Sequence, residues 1–104
     1  MVRAPAHLSK KGKALWKKIR TEYAINDSGG LALLTNACEA YDRINECQQT
    51  LDNDGLTITD RYGQTKVHPL CSVQRDARSQ FVQSIKLLNL DLEPLKDIGR
   101  PPGS

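Results

Sequence analysis

A chain of 104 residues has room for one domain with a thin core, since a fold this small buries only about 60–65% of the surface its unfolded chain exposes. The net charge of +3 conceals an asymmetry: residues 1–20 carry seven basic groups and no acidic one, whereas residues 21–104 carry eight basic and twelve acidic groups. No apolar run approaches the ~18 residues of a membrane span and the first residues lack the apolar stretch of a secretory signal, so the reading is a cytosolic protein with no membrane partner.

Residues 1–8 contain Pro5 and no periodicity, and are expected to form a flexible basic arm. The spacing predicts a first helix over residues 9–25, with Ser9 as its N-cap. At ~100° per residue, Leu8, Leu15, Trp16, Ile19 and Tyr23 share one face. Lys10, Lys13, Lys17 and Arg20 fall on the opposite face, with Lys11 and Lys18 on a flank. The run Asn26-Asp27-Ser28-Gly29-Gly30 has the turn chemistry to end that helix.

A longer helix is expected over residues 31–53, where Leu31, Leu34, Cys38, Tyr41, Ile44 and Leu51 recur at helical spacing. Their arc is wide, which suits a helix contacting neighbours on two sides, in its own chain or in another subunit. Cys38 and Cys47 lie nine residues apart on this helix, on opposite faces and about 13 Å apart along its axis. They are too far apart for a disulfide, and with Cys71, His7 and His68 they match no zinc spacing. Reduced thiols and no metal are expected.

The period changes over residues 56–67. Leu56-Thr57-Ile58-Thr59 and Thr65-Lys66-Val67 read as two short strands around a turn at Arg61-Tyr62-Gly63-Gln64, introduced by Gly55. Two strands are marginal alone, so the hairpin is expected to pack on the helices or on a neighbouring chain. Pro69 opens a third helix whose stripe is Leu70, Val73, Ala77, Phe81, Ile85 and Leu88, ending near Asn89. The chain thus reads as mainly α: one three-helix domain over residues 9–95 with a small β-hairpin between the second and third helices, and a flexible tail over 96–104.

Catalytic chemistry is not apparent. Gly29-Gly30 reads as a turn and helix start rather than a phosphate-binding loop. His68, directly before Pro69, reads as a group capping a turn or packing at a helix entrance. Catalysis by Cys71 and His68 would need an oxyanion site that nothing in the sequence supplies. Asp52, Asp54 and Asp60 around the hairpin lack calcium-loop spacing and read as a solvated turn. The chain is read as no enzyme, with no cofactor.

The strong signal is the basic one. Arg3, Lys10, Lys11, Lys13, Lys17, Lys18 and Arg20 form a segment more one-sided than solubility needs. A phosphate backbone attracts such a surface by counterion release, without sequence selectivity.

The order of pieces resembles the phage terminase small subunits, in their compact branch of helices plus one hairpin. The resemblance rests on Pro5-Ala6-His7-Leu8-Ser9 followed by Leu15-Trp16, then Leu33-Leu34 and Cys38-Glu39-Ala40-Tyr41. Asp54-Gly55-Leu56, Tyr62-Gly63-Gln64, the His68-Pro69 helix entry and Leu88-Asn89-Leu90-Asp91-Leu92-Glu93-Pro94 follow in order. The resemblance implies a ring-like homo-oligomer in the cytoplasm of an infected bacterial host. It would bind double-stranded viral DNA and deliver it to the large subunit, which holds the ATPase and nuclease. The DNA contacts would come from the seven basic residues. The subunit contacts would come from Leu31, Leu34, Tyr41, Ile44, Leu56 and Ile58. The alternative is a virion structural or connector protein that does not bind DNA.

Overall fold

The computed structural model describes residues 3–90. The chain runs α1 (Lys10–Tyr23), α2 (Ser28–Asp54), β1 (Thr57–Thr59), β2 (Thr65–Val67) and α3 (Leu70–Leu88). This is the three-helix domain with an inserted antiparallel hairpin that the periodicity predicts. The expected boundary at residue 95 and the tail over 96–104 lie outside the described residues.

The central element is α2, with α1 packed on one of its faces and α3 on another. Much of its wide apolar arc is therefore used within a single chain, while Tyr41 and Ile44 stay half-buried. Leu34 and Cys38 meet Leu8, Trp16 and Ile25, with Leu15, Ile19, Tyr23, Leu31, Leu88 and Leu90 closing the cluster from outside. Towards α3, α2 buries Ala37, Ala40, Cys47 and Leu51, and α3 answers with Ala77 and Ser84. These are mostly small residues, which lets the two backbones approach closely. Gln74 Nε2 donates across the joint to the Ile44 carbonyl at 3.2 Å and to Gln48 Oε1 at 3.0 Å.

Three boundaries differ from the sequence reading, each for a local reason. The stretch over residues 1–8 is not all free arm: Leu8 is buried, Ala4 packs on the core, and the Leu8 N–H closes a turn on the Pro5 carbonyl at 3.3 Å. The second helix starts three residues earlier than expected, at Ser28, because Asp27 caps it by accepting from the Gly30 N–H at 2.8 Å. The first helix stops at Ala24, not at the Asn26–Gly30 run, and lets Ile25 turn into the core.

Ala24 takes a left-handed conformation, φ 50°, where a Cβ is disfavoured by about 1–2 kcal/mol. Replacing Ala24 with Gly is expected to stabilise the fold by about 0.5–1 kcal/mol, a rise of several degrees in melting temperature.

Cys38, Cys47 and Cys71 are all free thiols. Burial, and secondarily the charge of Asp42, push the Cys38 thiol up to about 12 from its ordinary 9.0. The unfolded chain therefore releases the Cys38 proton before the folded one does. Its contribution to stability is intact below about pH 9 and is lost as pH rises towards 12. Denaturant midpoints taken across that range are expected to fall more steeply in the wild type than in Cys38→Ala. Equal slopes would remove Cys38 as the cause.

The hairpin projects from the α2–α3 junction. Thr57 pairs with Val67, Ile58 with Lys66 and Thr59 with Thr65. Alternation puts Thr57, Thr59, Thr65 and Val67 on one face, and Leu56, Ile58 and Lys66 on the other. All six strand residues are exposed, so the chain's own helices cover neither face. The expected packing of the hairpin on the helices is not found.

Its tip is organised by Asp60. The Asp60 carboxylate accepts from the Tyr62 N–H at 2.9 Å and the Gln64 N–H at 3.0 Å, and pairs with Lys66 Nζ at 3.2 Å. These donors, the Gln64 N–H foremost, hold its carboxyl below the usual range. Gly63, at φ 79°, supplies the positive φ that the turn requires. The base is pinned by His68, which is buried and reaches three ways. Its N–H donates to the Leu56 carbonyl at 2.8 Å, its Nε2 meets Asp54 Oδ2 at 3.0 Å, and its Nδ1 accepts the Leu70 N–H at 3.0 Å. Because Nδ1 accepts, the proton sits on Nε2 and is donated to Asp54.

Candidate nucleic-acid interface

The expected basic face exists and belongs to α1. Lys10, Lys11, Lys17 and Lys18 are exposed, as is Arg3 ahead of the helix, while Lys13 and Arg20 are half-buried. The row Lys10, Lys13, Lys17 and Arg20 runs about 15 Å along the axis. Among the described residues, none of the seven forms an ion pair with a carboxylate. Arg20 donates to Asn26 Oδ1 at 3.2 Å, a neutral partner that leaves its charge uncompensated.

These lysines are placed against local helix energetics. Lys10, Lys11 and Lys13 open α1, whose first turn holds no acidic residue. Cations there oppose the helix dipole by about 0.3–1 kcal/mol each. The missing negative charge comes from α2. Asp42 accepts from the Ser9 N–H at 2.7 Å and from the Ser9 hydroxyl, while Ser9 Oγ accepts the Gly12 N–H at 3.1 Å. A relay of Asp42, Ser9 and Gly12 thus caps the lysine-rich end of α1 and seats it on α2.

Gly12 permits this approach. A Cβ on Gly12 would stand 2.6 Å from Asp42 Oδ2 and closer still to Oδ1. Beside it, His7 Nε2 meets Glu39 Oε2 at 2.6 Å and holds the preceding segment on α2. At the middle of α1, Trp16 Nε1 donates to Thr35 Oγ1 at 3.3 Å. The basic face is therefore carried on a helix fixed at three points. Sequence reading found the lysines and the Ser9 cap. It missed Asp42, Gly12, Glu39 and Thr35, because each acts across a distance of about twenty or more residues.

The six residues expected at subunit contacts separate into groups. Leu34 is fully buried in its own chain's core and has no surface to offer, so it leaves the set. Leu31 packs against the same cluster. Tyr41 and Ile44 are half-buried along the edge of a groove between α2 and α3. Leu56 and Ile58 stand on the hairpin, 66% and 36% exposed. No group of three or more His, Cys, Asp or Glu side chains among the described residues is arranged to hold a metal. No helix among them is long and apolar enough to cross a membrane.

The fold and the candidate site thus describe a small helical domain with a cationic helix face and a bare hairpin. The comparison with protein families is specific: the model of the phage terminase small subunit matches residues 12–99. The chain belongs to the phage terminase small subunit family, whose role is phage DNA packaging. No curated protein and no solved structure matches it.

Proposed function

We propose that this chain is the DNA-binding, ring-forming component of a packaging terminase. Several copies hold viral double-stranded DNA through their α1 faces and pass it to the large ATPase and nuclease subunit. The chain works in the cytoplasm of the infected bacterium and has no catalysis of its own. The observation that carries this reading is the run of seven cations without an ion-pair partner among the described residues, three of which, Lys10, Lys11 and Lys13, are kept at a helix start where they oppose the dipole. Solubility alone does not require charges at that position.

A gel shift with duplexes of unrelated sequence, at 50 and 200 mM salt, tests it. Five phosphate contacts give a slope of about −4.5 in log affinity against log salt, so binding weakens about 500-fold between the two conditions. No shift at the lower salt would favour the connector reading, in which α1 meets an acidic protein surface.

A further inference from the structure

We propose that the hairpin of one subunit inserts into the groove between α2 and α3 of the next, making the subunit contact head-to-tail. The inference rests on the multi-copy reading above and specifies how the copies meet.

Two uncovered surfaces of the chain match. The first is the hairpin, where Leu56, Tyr62 and Val67 are 66%, 76% and 69% exposed and Ile58 adds a fourth apolar side chain. Leu56 and Ile58 stand on one face, Val67 on the other and Tyr62 at the tip, so the hairpin bears roughly 450 Å² of apolar surface in all, and insertion into a groove, which touches both faces, covers more of it than contact with either face alone. An unsupported two-stranded hairpin is marginal in water, so an apolar cover is what this element lacks.

The second surface is a groove of about 500 Å³ lined by Tyr41, Ile44, Phe81 and the half-exposed Val82. The Tyr41 and Phe81 rings of its lining stand 6.1 Å apart. Arg78 is its only charged side chain.

Polar groups on the two surfaces also match. Asn45 lines the groove, and its side-chain amide nitrogen is buried with no acceptor among the described residues, so a turn of that side chain towards the groove would present the donor to an incoming strand. A donor of this kind is destabilising until an acceptor arrives. The hairpin supplies acceptors. Its cross-strand bonds fall at Leu56–His68 and Asp60–Gln64, so the alternation of an antiparallel pair turns the carbonyls of Thr57, Thr59, Thr65 and Val67 outward.

The contact must be intermolecular. Tyr41 lies about 20 Å along α2 from Asp54, where the hairpin begins. The His68 contacts with Asp54, Leu56 and Leu70 hold the hairpin base at the far end. Because hairpin and groove are different patches, the contact is heterologous and propagates from copy to copy until rotation closes it.

Two exposed-surface variants test the pairing by solution mass: Tyr62→Asp with Val67→Asp on the hairpin, and Val82→Asp in the groove. None of these side chains is buried, and circular dichroism checks that each variant keeps its helices. The expected result is a multi-chain wild type, single chains for each variant alone, and a two-chain species when the variants are mixed. In that mixture one intact hairpin meets one intact groove and the chain of contacts stops there. A groove variant that assembles like the wild type overturns the hairpin-in-groove contact and leaves the ring reading standing. A wild type that runs as one chain at tens of micromolar overturns both.

Discussion

Replacing Lys10, Lys13 and Lys17 together with Glu is expected to weaken duplex binding at low salt by at least about a hundredfold. Exposed ionic contacts contribute up to about 1 kcal/mol each, and three of them amount to roughly two orders of magnitude before the repulsion of the new carboxylates is added. The salt dependence supplies an independent readout. Each neutralised phosphate contributes about 0.9 to the slope of log affinity against log salt, so the triple variant loses nearly three units of slope. The fold should survive, since none of the three lysines is buried. A variant with unchanged affinity and unchanged slope would take the α1 face out of the DNA contact.

The second large effect is on the platform beneath those lysines. Gly12→Ala normally gains about 1 kcal/mol in a helix interior. Here the added methyl meets the Asp42 carboxylate, which must leave Ser9 and give up both hydrogen bonds at the start of α1. Losing a cap and leaving polar groups half-buried costs about 2–4 kcal/mol, so the clash outweighs the propensity gain. The expected result is a net loss of about 1–3 kcal/mol, or roughly 5–20 °C in melting temperature. Asp42→Ala alone costs about 1–3 kcal/mol through the same cap. In the double variant the methyl no longer meets a carboxylate. Its loss of stability is therefore expected to fall short of the sum of the two single losses by about 1 kcal/mol or more. Strict additivity would mean that Gly12 and Asp42 do not act through one another.

These two sites show what the sequence reveals and where it stops. Elements with strong period were legible: the Leu15, Trp16, Ile19, Tyr23 stripe fixes the inner face of α1, and with it the lysines on the outer face. Local chemistry was legible too. Ser9 caps α1, Gly63 takes the positive φ of the turn, and His68 seats the entrance of α3. Residues whose role depends on a distant partner were not. Asp42 looks like one more surface acid on α2 until Ser9 and Gly12 are brought against it from 30 or more residues away. Leu34 was misplaced for the same reason. A wide apolar arc announces two neighbours without saying which are internal, and α1 and α3 of the same chain take both sides of α2. The hairpin remained ambiguous because a short strand pair reads alike whether it is covered or bare. Only the structure shows Leu56, Tyr62 and Val67 standing in solvent.

The proposed working unit, several copies of this chain around or along a duplex, would put both the bare hairpin and the unpaired lysines to use. Native mass measurement of the wild-type protein mixed with a short duplex at low ionic strength tests that most directly. The account predicts a species whose mass is a multiple of the 11.6 kDa chain plus one duplex. A single-chain mass with no duplex attached would contradict it.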